Sequence, residues 1–121
     1  MSLTFINMDT NYNLKHYNRT ELLDLIGNNE HNKELLFDKY FEDIYVYIKR
    51  LREAVKYKDQ FAFNHFARTI AESSKSVCFE LMYSMAMKLE MCDLNNTSKL
   101  MGSIDELENE LENVKDILKA S

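Results

Sequence analysis

His65, Arg68 and Glu72 are separated by three and four residues, so a helix through them carries all three on one strip. A neutral imidazole is a nucleophile and proton carrier near neutral pH. A guanidinium stays protonated, so Arg68 can bind an anion by charge-assisted hydrogen bonds but cannot itself attack. The strip therefore offers two chemistries: group transfer at His65 beside a fixed cation, or recognition of an anionic partner through Arg68. Ser73 and Lys75 follow within the next turn and add a hydroxyl and a second cation. Their plain readings are a small residue that caps or packs near a helix end and a solvated lysine. The plain reading of His65 is a solvent-facing histidine. His16 and His31 sit in polar surroundings near turns and carry no comparable pattern.

Other chemistries find little support. Cys78 and Cys92, the two cysteines, lie 14 apart in a Met-rich apolar stretch. They form no zinc pattern and no secreted disulfide framework, and read as small buried hydrophobes. There is no Ser-His-Asp order, no glycine-rich phosphate loop and no clustered metal ligands, so neither a hydrolytic enzyme nor a cofactor or metal is expected. Acidic residues outnumber basic ones 20 to 15, for a net charge of −5. Nucleic-acid binding needs a basic footprint, so nucleic acid is not an expected partner. No apolar run approaches the ~20 residues that span a membrane. The N-terminus lacks the basic start and apolar centre of a signal peptide, so a cytoplasmic protein with no membrane partner is expected.

The elements that must position the strip are helices. The 121 residues suit one domain, and 45% hydrophobic residues suffice for a core. Pro is absent and Gly occurs twice, which favours long helices. Residues 1–18 read as an Asn-rich arm that packs Phe5, Ile6, Tyr12, Leu14 and Tyr17; residues 19–121 read as the bundle. Thr20 is expected to cap a short helix that Gly27-Asn28-Asn29 ends. A long helix over 32–57 follows, with Phe37, Phe41, Ile44, Ile48, Leu51 and Val55 spaced 4, 3, 4, 3, 4. Tyr40, Tyr45 and Tyr47 are expected to edge the core. After a break at Lys58-Asp59, with Asp59 as N-cap, the third helix runs over 59–74. It turns Phe63, Phe66, Ala67, Ile70 and Ser74 inward and leaves His65, Arg68 and Glu72 exposed.

The fourth helix, over 76–92, is expected to point Cys78, Leu81, Met82, Met85, Ala86, Leu89 and Cys92 inward, with Phe79, Tyr83 and Met87 on other faces. Met82 and Met85 read as core and Met87 as more open. The last helix repeats the 4, 3, 4, 3, 4 spacing from Leu100 through Ile104, Leu107, Leu111 and Val114 to Leu118. Asp105, Glu106, Glu108, Glu110 and Glu112 make its solvated acidic face. The expected fold is all-α: an antiparallel four-helix bundle with a short extra N-terminal helix.

Residues 68–74, Arg-Thr-Ile-Ala-Glu-Ser-Ser, resemble the motif His-Thr-Leu-Lys-Gly-Ser-Ser of histidine-phosphotransfer (HPt) domains. Thr69, Ser73 and Ser74 match outright, and Ile70 matches as an apolar residue. Upstream, Ala54-Val55-Lys56-Tyr57-Lys58-Asp59 resembles the family's helix end followed by a Gly-Asp turn. Leu36 to Leu51 resembles its long second helix, with an acidic pair at Glu42-Asp43. Downstream, Met82, Met85, Leu89 and Glu90 fall where the family has Leu, Leu and Leu-Glu. The resemblance covers about residues 20–118.

It implies a bundle in a two-component phosphorelay. A surface histidine accepts a phosphoryl group from a receiver-domain aspartate and passes it on, and the receiver supplies the magnesium. Here Arg68 stands at the phosphoacceptor position and cannot be the nucleophile. Ala71 replaces a helpful lysine cation, and Glu72 replaces a glycine with bulk and negative charge. All three changes oppose transfer. The reading that follows is a binding domain that docks the receiver of a response regulator or hybrid histidine kinase through Arg68, His65, Glu72, Ser73 and Lys75, without phosphotransfer. Two alternatives stand beside it: an active phosphotransfer protein using His65 as a displaced acceptor, and an unrelated helical interaction bundle.

Overall fold

Scarce helix breakers translate into five helices among the described residues: α1 (Arg19–Ile26), α2 (Glu30–Lys56), α3 (Gln60–Ser76), α4 (Glu80–Glu90) and α5 (Thr97–Ala120). The structure, a computed structural model, describes residues 16–27 and 30–120. The protein is all-α, with no strand among the described residues. Phe5, Ile6, Tyr12 and Leu14 of the arm and Asn28-Asn29 of the expected stop lie outside those residues. None of the described helices is long and apolar enough to cross a membrane.

Helix ends follow local chemistry, with two departures from expectation. Asn18, not Thr20, caps α1: its side-chain oxygen accepts from the Glu21 amide at 3.1 Å. Gly27 closes α1 with φ 68°, the left-handed conformation glycine adopts freely. Asp59 caps α3 as expected, accepting from the Ala62 amide at 3.0 Å. The larger departure is the α3–α4 boundary. α3 continues to Ser76, and α4 begins only at Glu80. Between them Cys78 takes φ 64° with neither Gly nor Pro present to mark the turn.

The core is assembled by the expected apolar stripes. Ile44, Ile48, Leu51 and Val55 of α2, and Leu100, Ile104, Leu107, Leu111 and Val114 of α5, are buried. α2 packs on α3 and α5, and α4 packs on α3 and α5. Tyr40 meets Ser74 and Tyr47 meets Phe66 across α2 and α3. Arg52 of α2 reaches Asp105 and Glu108 of α5 at 2.9 and 2.6 Å, and Tyr45 donates to Glu112. Burial alone opposes the Arg52 charge, but these carboxylates hold its guanidinium above its ordinary pKa.

Six side chains stand apart from the sequence expectation. Tyr40 lies in the core rather than at its edge, its hydroxyl 2.7 Å from that of buried Ser74. Phe79 is wholly buried, with ring contacts to Tyr17, Phe37, Tyr40 and Phe41. It lies at the helix start, where neighbouring elements converge, so α4 periodicity does not govern it. Glu110 leaves the solvated acidic face: it is buried, and His16 Nδ1 lies 2.6 Å from its carboxylate. Met85, Cys78 and Cys92 are half-buried rather than core.

Candidate docking face on the third helix

The inward residues of α3 fix which residues face out. Phe63, Ala67, Ile70 and Ser74 are buried, so one helical period places His65, Arg68, Glu72 and Lys75 at the surface, and all four are exposed. The structure therefore brings these four candidates onto one strip. The Thr69 hydroxyl donates to the His65 carbonyl at 2.8 Å, a bond within the helix that leaves the imidazole untouched. The imidazole packs edge-on against Phe66 at 5.0 Å. Lys75 lies with its ammonium 5.6 Å from the Tyr83 ring centre, a cation–π contact to α4. Ser73 is half-buried and its carbonyl accepts from the Ser76 hydroxyl at 2.9 Å. Ser74, which matched the motif, faces the core and is unavailable to a partner.

Arg68 is held from one side. Its Nε and Nη2 lie 2.7 and 2.6 Å from the same oxygen of Glu90, on α4. The Arg68 side chain is 66% exposed and that of Glu90 16%. Glu90 was not singled out as a site residue in the sequence, because its only mark there was membership of a Leu-Glu pair. Phe61 was missed as well, although its position has a visible signal. Phe61, His65, Arg68, Glu72 and Lys75 are spaced 4, 3, 4, 3, so Phe61 belongs to the same strip, and it is 83% exposed. The Gln60 side chain donates to the Cys92 carbonyl at 3.2 Å, which brings the start of α3 to the end of α4. Met91, 86% exposed, and Met87 also stand open on this side. The face thus combines one oriented cation with isolated apolar side chains.

Ala71 does not share that surface. It is 1% exposed, against its alignment with a surface lysine. Three residues from Arg68, α3 has already turned this position toward its neighbours, and an ammonium there would be buried unpaired at a cost of several kcal/mol.

Burial and the nearby Glu21 push the Cys78 thiol above its ordinary pKa, which disfavours the reactive thiolate. No group of three His, Cys, Asp or Glu among the described residues is arranged to hold a metal. Comparison with protein-family models, with curated proteins and with solved structures finds no match to this chain.

Proposed function

We propose that this protein is an HPt-like docking module that binds the receiver domain of a response regulator or hybrid histidine kinase and does not transfer phosphate. The observation that carries the proposal is the outward presentation of Arg68 on α3, at the position that aligns with the family's phosphoacceptor histidine. A receiver's phosphorylation pocket is acidic, and a fixed guanidinium suits it through charge-assisted hydrogen bonds.

Two further observations support the reading. Contacts between α2 and α3, α2 and α5, and α3 and α4 run in opposite chain directions, as an antiparallel four-helix bundle with one short extra helix requires. Lys58 adopts φ 56° immediately before the Asp59 cap. That left-handed position aligns with the glycine of the family's Gly-Asp turn. Buried Ala71 and exposed Glu72 argue for binding rather than transfer, since neither can steady a phosphoryl group.

Titration of the protein against receiver domains from the same organism tests the proposal. Binding that weakens in Arg68→Ala supports it; absence of binding, or binding unchanged by that substitution, overturns it. Incubation with a phosphorylated receiver checks transfer: acid-labile label on the wild type that disappears in His65→Ala would restore an active relay through His65.

A further inference from the structure

The Arg68 guanidinium has two usable edges, and the protein occupies one. Nε–H donates to Glu90 Oε2 at 2.7 Å, and Nη2 lies 2.6 Å from the same oxygen. Among the described residues nothing pairs with Nη1. Glu90 is largely buried while Arg68 is largely exposed, so the anchored edge lies against α4 and the Nη1–Nη2 edge faces outward. An exposed arginine otherwise spreads over many rotamers, and fixing one of them beforehand removes most of that ordering from the binding step. Glu90 is also the last residue of α4. A carboxylate there opposes the helix macrodipole, so its position gains nothing from the helix and is explained by its partner, Arg68.

Glu90 acts on an incoming anion in two opposing ways. Its charge partly cancels that of Arg68, and its hydrogen bonds aim the guanidinium. Arg68 is largely exposed, so water and salt on its outer side screen part of the first effect. The second is directional and persists, because a planar carboxylate needs two parallel N–H groups in a fixed fork. We propose that Glu90 is the positioning residue of the docking face, holding Arg68 so that its outer edge receives a partner carboxylate in bidentate fashion. This rests on the docking reading above for its partner, but not for its geometry.

The test compares wild type, Glu90→Met, Arg68→Lys, Arg68→Ala and the double variant R68A/E90M against the same receiver domain. Glu90→Met keeps the length of the side chain and removes the acceptor oxygen. Glu90→Met and Arg68→Lys are each expected to weaken binding roughly fivefold or more, because one loses the aim and the other the fork. Adding Glu90→Met to Arg68→Ala should change affinity by less than about twofold, since the two residues act as one unit. Equal or tighter binding by Glu90→Met overturns the proposal and makes Glu90 a competitor for Arg68. Orientation is read separately by the Arg68 Nε–H resonance. It should exchange slowly with solvent in the wild type and rapidly in Glu90→Met. If no receiver binds the wild type, the docking reading fails. The resonance then decides the positioning role alone, with equal exchange in both proteins overturning it.

Discussion

The two turns that bound α3 share one backbone solution and differ in what holds them. At the first, the Lys58 amide donates to Val55 and the Asp59 amide to Ala54, at 3.2 and 2.9 Å. At the second, Cys78 donates to Lys75 and Phe79 to Ser74, at 3.1 and 2.9 Å. Both are Schellman closures, and in each a non-glycine residue, Lys58 or Cys78, takes the left-handed position. The first turn is then secured locally by the Asp59 carboxylate. The second has no side-chain cap and is secured by tertiary structure. Phe79 fills the core, and the Asn18 amide donates to the Cys78 carbonyl at 2.7 Å. One turn is held by a neighbour in sequence, the other by residues brought from afar, yet both aim the strip that carries Arg68.

The second turn therefore depends far more on its anchor. Phe79→Ala empties a wholly buried ring site and is expected to lower stability by about 3–5 kcal/mol. Urea unfolding followed by circular dichroism measures it. A loss near 1 kcal/mol would mean that the core closes over the gap and that the contrast between the turns is weak.

The same contrast explains what could be read from sequence. Asp59 was legible as a cap because its signal is local: a short polar side chain ahead of an apolar stripe. The stripes of α2 and α5 were legible because a helix repeats its face every few residues. The Cys78 turn was not, since neither Gly nor Pro marks it and its cause is the burial of Phe79. Glu110 was misplaced because helical phase alone cannot foresee that His16, 94 residues away in sequence, would reach its carboxylate. At the proposed docking face, phase placed His65, Arg68 and Glu72 at the surface. It could not reveal Glu90, whose part is set by the packing of α4 on α3. Ala71 shows the reverse: a motif alignment put it beside the site, and packing put it in the core.

Tyr40 sharpens the comparison through pH. Its ring packs on Phe79 at 4.9 Å, and its hydroxyl meets Ser74, whose carbonyl closes the second turn. Burial pushes the Tyr40 hydroxyl well above its ordinary pKa, so the folded state holds that proton more tightly than the unfolded chain. Its stabilising effect is complete below about pH 10, the ordinary tyrosine value, and falls as pH rises toward the folded value. Wild type should lose up to about 1.4 kcal/mol per pH unit above that point relative to Tyr40→Phe. Tyr45, pushed up to about 12 by burial and by Glu112, titrates in both proteins and cancels in the difference. Parallel stability–pH curves would show that Tyr40 ionises without disturbing the turn.

At the first turn the expected effects are smaller. Asp59→Ala removes one capping bond and should cost about 1 kcal/mol, a fraction of the Phe79→Ala loss. The same unfolding measurement applies, and a loss matching that of Phe79→Ala would break the distinction between local and tertiary anchoring.

Glycine substitution separates the turns most finely. Lys58 and Cys78 both carry a Cβ in a conformation that disfavours one by about 1–2 kcal/mol. Glycine relieves that strain at either position, while adding freedom to the unfolded chain worth roughly 0.5–1 kcal/mol. Lys58 is exposed and its side chain donates to the Thr97 hydroxyl at a long 3.3 Å, so Lys58→Gly should stabilise the protein by about 0.5 kcal/mol. Cys78 is half-buried against the core, so Cys78→Gly also discards apolar packing and should be neutral or slightly destabilising. Midpoints of thermal unfolding for the two variants, compared in one buffer, carry the test. Equal gains would mean that the Cys78 side chain contributes nothing and that Phe79 and the Asn18 bond hold the second turn. A loss at Lys58 would mean that its contact to Thr97 outweighs the relief of backbone strain.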